Sequence, residues 1–196
     1  MPFEEPMHPH LANRFRQERM RKFLELVPTG RSVRILDLGG TADYWRALPG
    51  LYRRSDVEIT ILNLGAEEQQ DSNLVVKPGD ACDTGLADGS FDIVHSNSVI
   101  EHVGDYERMA AMAGEVRRLG HAYFVQTPNL WFPIEPHYKL PAVHWLPGPL
   151  KKVITGDDPN RVRLISARQM QRLFPGSEIW REKYFGLTKS LVAIRR

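Results

Sequence analysis

The sequence predicts an α/β fold: a mostly parallel, seven-stranded sheet with helices on both faces. Three observations predict it. Short aliphatic runs alternate with amphipathic stretches along nearly the whole chain, the pattern of strand–helix units wound into a parallel sheet. The first aliphatic run, "VRILDLGG" over 33–40, ends in an acid and paired glycines, as a buried parallel strand entering a tight loop does. A length of 196 residues, 42% hydrophobic and 26% charged, suits a single domain over 1–196 with one core.

Taken in order, "HLANRFRQERMRKFLELV" sets Leu11, Phe15, Met20, Phe23, Leu24 and Val27 at near-helical intervals, which predicts an amphipathic helix over 10–27 stopped by Pro28 and Gly30. The first strand follows, then a short helix capped near Thr41 or Asp43 in "TADYWRALPG". "VEITILNL" over 57–64 is the second strand, "NLVV" over 73–76 the third and "SFDIVHSNS" over 90–98 the fourth. Residues 105–119 form a helix and "HAYFVQTPN", 121–129, a fifth strand. Six prolines lie between Pro128 and Pro149, a density that argues against regular helix or central strand there. This Pro- and aromatic-rich stretch, 128–163, is expected to be a lid inserted into the domain. Ser166 caps a further helix, and "SEIWREKYFGLTKSLVAIRR" closes the chain as two strands joined near Gly186 and Leu187.

No apolar run approaches the roughly 20 residues that span a bilayer, and residues 1–10 carry two Glu and three Pro instead of a secretory apolar core. A cytoplasmic protein without a membrane span is expected. The single Cys82 gives neither an internal disulfide nor zinc-finger spacing. A net charge of +2 with spread-out basic residues is too mild to indicate nucleic acid. The sequence leaves the oligomeric state open, a homodimer included.

Chemistry gathers at successive strand ends. Gly39 and Gly40 after Asp37 allow a sharp turn and a close backbone approach to a ligand. Asn63 ends the second strand, 26 residues after Asp37, near the spacing at which such folds meet ribose hydroxyls. The run "KPGDACDTGLADGSFDIVHSNSVIEHV", 77–103, then resembles the class I S-adenosylmethionine-dependent methyltransferases, which have an acid after strand three and a "DGSFDIV" strand leading through a small polar turn to "EHV". The resemblance implies a Rossmann-like class I methyltransferase fold with S-adenosylmethionine as cofactor. Carried over position by position, it puts the methionine part over Asp37, Gly39, Gly40 and Thr41, the ribose at Asn63, adenine beside Asp80 and the Ala81 backbone, and Asn97 at the methionine end. Two departures stand out: the loop reads "DLGGTADYW" without a third glycine, and Asn63 replaces the usual acid. Losing that carboxylate is expected to weaken ribose binding, since charge-assisted hydrogen bonds are the stronger ones.

The acceptor side rests on histidines and aromatics. His102, just after strand four, and His137 in the lid are the candidate catalytic bases, since imidazole takes protons near neutral pH. Glu101 and His102 could equally cap the following segment. Trp131, Tyr138, His144 and Trp145, with Phe132 and Glu135, make the apolar and polar mixture of a small-molecule pocket, or else cover the sheet's open edge. No metal is expected: Glu135, His137 and His144 offer suitable donors, but their spacing in a Pro-rich loop fixes no geometry. Tyr44 and Trp45 could stand near the sulfonium or pack at the helix start, and Arg14 or Arg16 could reach the methionine carboxylate. The position after strand four reads "SNSVIEH", not the "DPPY" or "NPPY" clamp of base-amine methylation. The expected activity is therefore methyl transfer to a small-molecule acceptor, oxygen slightly ahead of nitrogen or carbon. The alternative is a non-catalytic cofactor-binding or partner subunit.

Overall fold

The computed structural model of the chain describes residues 9–196 except 48, 49, 136 and 139, and no side chains before residue 14. The expectation for residues 1–10, and Leu11 of the amphipathic stripe, accordingly lie outside the described residues. The chain order is α1 (Pro9–Leu24), β1 (Val33–Leu38), α2 (Ala42–Arg46), β2 (Val57–Asn63), β3 (Gln69–Asp71), β4 (Leu74–Pro78), β5 (Phe91–Asn97), α3 (Tyr106–Leu119) and β6 (Gly120–Pro128). Then come β7 (Ile134–Glu135), β8 (Leu140–Pro141), α4 (Gly148–Thr155), α5 (Ala167–Leu173), β9 (Glu178–Tyr184) and β10 (Leu187–Arg195). Short 3-10 turns span Ile100–His102 and Val143–Trp145.

The main sheet has eight strands in the order β3-β4-β2-β1-β5-β6-β10-β9. The five central strands are parallel and the edges antiparallel. The eighth strand, absent from the sequence expectation, is β3. Its residues are Gln-Gln-Asp, with no apolar side chain to announce them, and they are held by antiparallel pairing to β4 at the sheet edge. A second correction falls in the Pro-rich stretch, which contains the helix α4 and the small β7–β8 hairpin. Pro149 sits in the first turn of α4, where its missing N–H costs nothing because the first helical N–H groups have no intrahelical acceptor. The first helix ends at Leu24 instead of 27, in a turn where Leu26 N–H and Val27 N–H donate to Phe23 and Leu24 carbonyls.

Strand alternation builds two cores. Leu36, Leu38, Val94, Tyr123, Val125, Leu191 and Ala193 pack against Met109, Met112 and Val116 of α3 and Met170 and Leu173 of α5. On the other face Ile35, Ile59, Ile61, Ile93, Phe124 and Val192 pack against Met20 and Phe23 of α1 and Trp45 of α2. Fully burying one such aliphatic or aromatic side chain contributes roughly 1.5–3 kcal/mol. The caps read from sequence form: Thr41 accepts from Tyr44 N–H, and Ser166 with Gln169 makes a reciprocal capping box; at the start of α3 Asp105 accepts from Arg108 N–H. Among the described residues no helix is long and apolar enough to cross a membrane.

The loop after β4, which carries Asp80, is pinned to α3 through Glu115. Its Oε2 accepts from Thr84 N–H at 2.9 Å and from the Thr84 hydroxyl, and Arg118 binds both carboxylate oxygens. Chiefly through Arg118, then Thr84, the carboxyl is held down at about 2. A depressed folded value means stability that is present above the ordinary 4.5 and disappears as pH falls through about 2. Glu115→Gln is expected to lower stability at pH 7 by about 1–3 kcal/mol. Urea midpoints of variant and wild type should converge as the pH approaches that lower value; a gap that persists unchanged would place the effect elsewhere.

Candidate functional site

The carboxyl ends of the parallel strands form one continuous rim. Backbone register sets Leu38 beside Leu62, Asn63 beside Pro78, and Asn97 beside Gln126, so the loops 39–41, 64–66, 79–83 and 98–102 emerge side by side. That is where ligands of open α/β sheets bind.

Beneath the first loop lies Asp37, 1% exposed. Its Oδ2 accepts from Trp45 Nε1 at 2.6 Å and its Oδ1 meets His95 Nδ1 at 2.8 Å. Asp37 thus faces inward and supports the loop from below. A Cβ on Gly40 would fall 1.7 Å from Asp37 Oδ2, and one on Gly39, at φ +77, 2.5 Å from Val99 Cγ1. Both glycines are required by the protein's own packing. Trp45 is fully buried and Tyr44 stacks on His95 at 5.6 Å, so helix-start packing accounts for both aromatics. Thr41 is exposed and caps α2.

Asn63 Nδ2 donates to Gly39 O at 3.1 Å and Gly40 O at 2.9 Å. The amide ties the glycine loop to β2 and spends both its N–H donors doing so, which leaves Oδ1, only weakly approached by Gly65 N–H at 3.4 Å, as an acceptor. Asp80 accepts from Cys82 N–H at 2.8 Å and from Arg108 Nη2 at 2.7 Å; Arg108 foremost, then the Cys82 amide, holds its carboxyl below the usual range. Ala81 packs against the α3-side core.

Asn97 Oδ1 accepts from Arg19 Nη1 at 2.8 Å, and Arg19 Nε pairs with Glu182 at 3.0 Å. Arg14 and Arg16 are exposed; the basic residue at this corner is Arg19, 5% exposed. The sequence carried a signal for it. Phe15, Arg19 and Phe23 follow at i, i+4, i+8 on one helix face, so a cation interrupts a buried apolar stripe.

The second half of the rim is built around the turn 98–102. Ser98, at φ +55, donates its hydroxyl to Gln126 Oε1 at 2.8 Å and its N–H to the Gln126 carbonyl. Glu101 is 1% exposed. Its Oε2 accepts from Thr127 Oγ1 at 2.9 Å, while Oε1 is buried with no hydrogen-bond partner, and burial pushes its carboxyl up to about 7. His102 and His137 meet here: their Nε2 atoms are 3.1 Å apart and the rings nearly perpendicular at 85°. Burial first, then His137, lowers the His102 ring to about 4, so it is neutral at pH 7. His137 Nδ1 is 2.7 Å from Glu135 Oε1, and Glu135 Oε2 accepts from Tyr138 N–H.

The segment 128–163 is fastened to this turn by one backbone bond, and the chain on either side of it is joined to itself. Arg163 N–H donates to the Glu101 carbonyl, Leu130 N–H donates to that of Ile165, and Asn129 bridges to Ile165. The nearly buried Lys151 donates to the carbonyls of Pro159 and Val162. The expected pocket residues divide. His144 Nε2 and Trp145 Nε1 both reach the Leu130 carbonyl, at 2.9 and 2.8 Å, with Trp131 6.3 Å from Trp145 between ring centroids. Tyr138 stands apart, half-buried with Lys151 over its ring. Trp131 and Trp145 are 66% and 46% exposed, so neither plugs the sheet edge. Glu135, His137 and His144 do not converge: Glu135 serves His137, and His144 turns to Leu130.

Comparison with known proteins bears on the fold. The sequence profile of the family described as "Methyltransferase domain" matches residues 36–122. No curated protein matches the sequence. Solved structures do match in fold. One is the CurJ carbon methyltransferase, at 17% identity and TM-score 0.59, covering 89% of this chain and 51% of that one. Another is a Haemonchus contortus phosphoethanolamine N-methyltransferase in complex with S-adenosylmethionine, at 15% and 0.59, covering 84% and 38%. A third is an S-adenosylmethionine-dependent methyltransferase of Methanosarcina mazei, at 14% and 0.58, covering 96% of both. The chain therefore spans about half the length of the carbon methyltransferase and less of the second protein.

The Asn63 geometry makes an unusual prediction. Asn63→Asp, which restores the acid common at this position, would set a carboxylate against the two carbonyls that Asn63 now donates to. It is expected to cost about 1–3 kcal/mol of stability, read as a lowered urea midpoint at pH 7. An unchanged or raised midpoint would remove Asn63 as the strut of the loop.

Proposed function

We propose that this chain, a class I S-adenosylmethionine-dependent methyltransferase by fold and by the family that residues 36–122 match, methylates an oxygen atom of a small-molecule acceptor held between the turn 98–102 and the segment 128–163. The observation that carries the acceptor half is the meeting of His102 and His137, 35 residues apart in sequence, with their Nε2 atoms 3.1 Å apart at the rim.

The rim's donor set suits the cofactor. Backbone of 39–41 lies where the methionine part would rest, Asn63 Oδ1 is an acceptor for ribose hydroxyls, and Asp80 retains acceptor capacity for an adenine amino group beyond its two partners. Asn97 and Arg19 form the polar corner at the methionine end, where a guanidinium complements a carboxylate. The cofactor supplies a methyl group already activated by its sulfonium.

What remains for the protein is alignment, exclusion of water and disposal of a proton. The acceptor oxygen forms a bond to the methyl carbon as the carbon–sulfur bond breaks, its electron pair staying on sulfur, and the acceptor's proton leaves. His102, neutral at pH 7, and His137 beside it offer that proton a destination, and Glu135 stands 2.7 Å behind His137.

Calorimetric titration with S-adenosylmethionine and with its demethylated product tests the cofactor half: binding of either is expected, and heat from neither would leave a non-catalytic subunit. Incubating the protein with methyl-labelled cofactor and a cell extract tests the other half. Label is expected in the low-molecular-mass fraction, with the rate falling about 100-fold in His137→Ala; label confined to protein or nucleic acid would overturn the small-molecule reading.

A further inference from the structure

We infer that Glu101, His102 and His137 form a binding site for a divalent transition-metal ion, with Glu135 orienting one of its ligands. One donor atom from each of the three residues lies within 4.8 Å of the others. Two imidazoles and one carboxylate are a donor set suited to such ions, and three protein ligands leave positions open for a further ligand.

The geometry is that of ligands, in three respects. Nitrogens bound at about 2.0–2.1 Å to one ion, with angles between octahedral and tetrahedral, are roughly 2.8–3.4 Å apart; the two Nε2 atoms stand at 3.1 Å. Glu135 Oε1 takes the Nδ1 side of His137 at 2.7 Å, which leaves Nε2 as the ring nitrogen that faces His102. A carboxylate behind a histidine in this way is the usual support of a metal-bound imidazole. Third, the Glu101 side chain is 1% exposed, yet its Oε1 has no hydrogen-bond partner. A buried polar atom left unpaired is costly, and a cation among the three residues supplies what the protein does not.

The ligands come from two parts of the chain. Glu101 and His102 belong to the turn after β5, and His137 and Glu135 to the segment 128–163. The ion would therefore join the segment to the rim and keep its open positions toward the acceptor side. That role, though not the site itself, rests on the methyl-transfer reading: an oxygen-bearing acceptor is the ligand that fits, and the two imidazoles then hold the ion instead of taking the proton, which passes to water.

The test uses the full chain stripped of metal by a chelator. Titration with Co2+ is expected to give the visible absorption of a nitrogen- and oxygen-ligated ion, saturating at one equivalent, and Zn2+ is expected to displace it. Mg2+ should not compete, since imidazole suits transition ions. His102→Ala and His137→Ala should each weaken Co2+ binding about 100-fold, and Glu135→Gln about 10-fold or more, the usual range for an outer partner. Glu101→Gln keeps the shape of the buried side chain and should also weaken binding. Circular dichroism of each variant separates lost ligands from lost fold. Uptake well below one equivalent by the wild type, or undiminished binding in folded His137→Ala, would overturn the site. Calorimetry with S-adenosylmethionine on the metal-free protein separates the two readings. Cofactor binding without metal uptake would leave the methyltransferase reading intact and end this one. Metal uptake without cofactor binding would do the reverse.

Discussion

A buried carboxylate holds the cofactor side of this molecule in shape. Asp37 lies at the end of the first strand, out of reach of water, and a polar group there needs partners. Trp45 and His95 supply them, and each drags an element along. Trp45 brings α2 down onto the sheet, while His95 ties β5 to β1. Around that imidazole sit Phe23 of α1 at 5.0 Å, Tyr44 of α2 and Phe124 of β6, so five elements close on one polar knot. The glycine loop is a consequence, since any side chain at residue 40 would displace the carboxylate.

The other half of the rim is organised differently. Here the polar groups are spread over a turn and an inserted segment, and backbone hydrogen bonds, not packing alone, decide how the two meet. Arg163 on the Glu101 carbonyl ties the segment to the rim, Leu130 on Ile165 joins its two ends, and Lys151 on two carbonyls braces it internally; the result is a strap. The strap brings Glu135 and His137 to the turn that carries Glu101 and His102.

Much of this was legible in the sequence where one physical signal dominated. Strand ends announced the rim because buried parallel strands are aliphatic throughout and stop at small polar residues, and the caps at Thr41 and Ser166 were visible for the same local reason. What escaped was set by distant partners. β3 has no apolar pattern and exists through its pairing with β4. α4 hid behind Pro149, which a helix start tolerates. Asp37 and Asn63 were placed by position in the rim, yet their side chains are spent on Trp45 and His95 and on the loop carbonyls, choices made by residues up to 58 positions away. Arg19 could have been found as the charge within an apolar stripe. Nothing local in the lid indicated that His137 would face His102, because prolines and aromatics there carry no period.

The parallel bridge between Asn129 and Ile165 gives the molecule a modular seam. Residues 130–164 leave and rejoin the domain at adjacent points, and the cost of closing a loop rises only slowly with its length. The intervening chain can be shortened, lengthened or exchanged while the sheet keeps its register. Such an exchange would carry Glu135 and His137 away with the cassette and leave Glu101 and His102 behind, so the two halves of this polar cluster can vary independently across the seam.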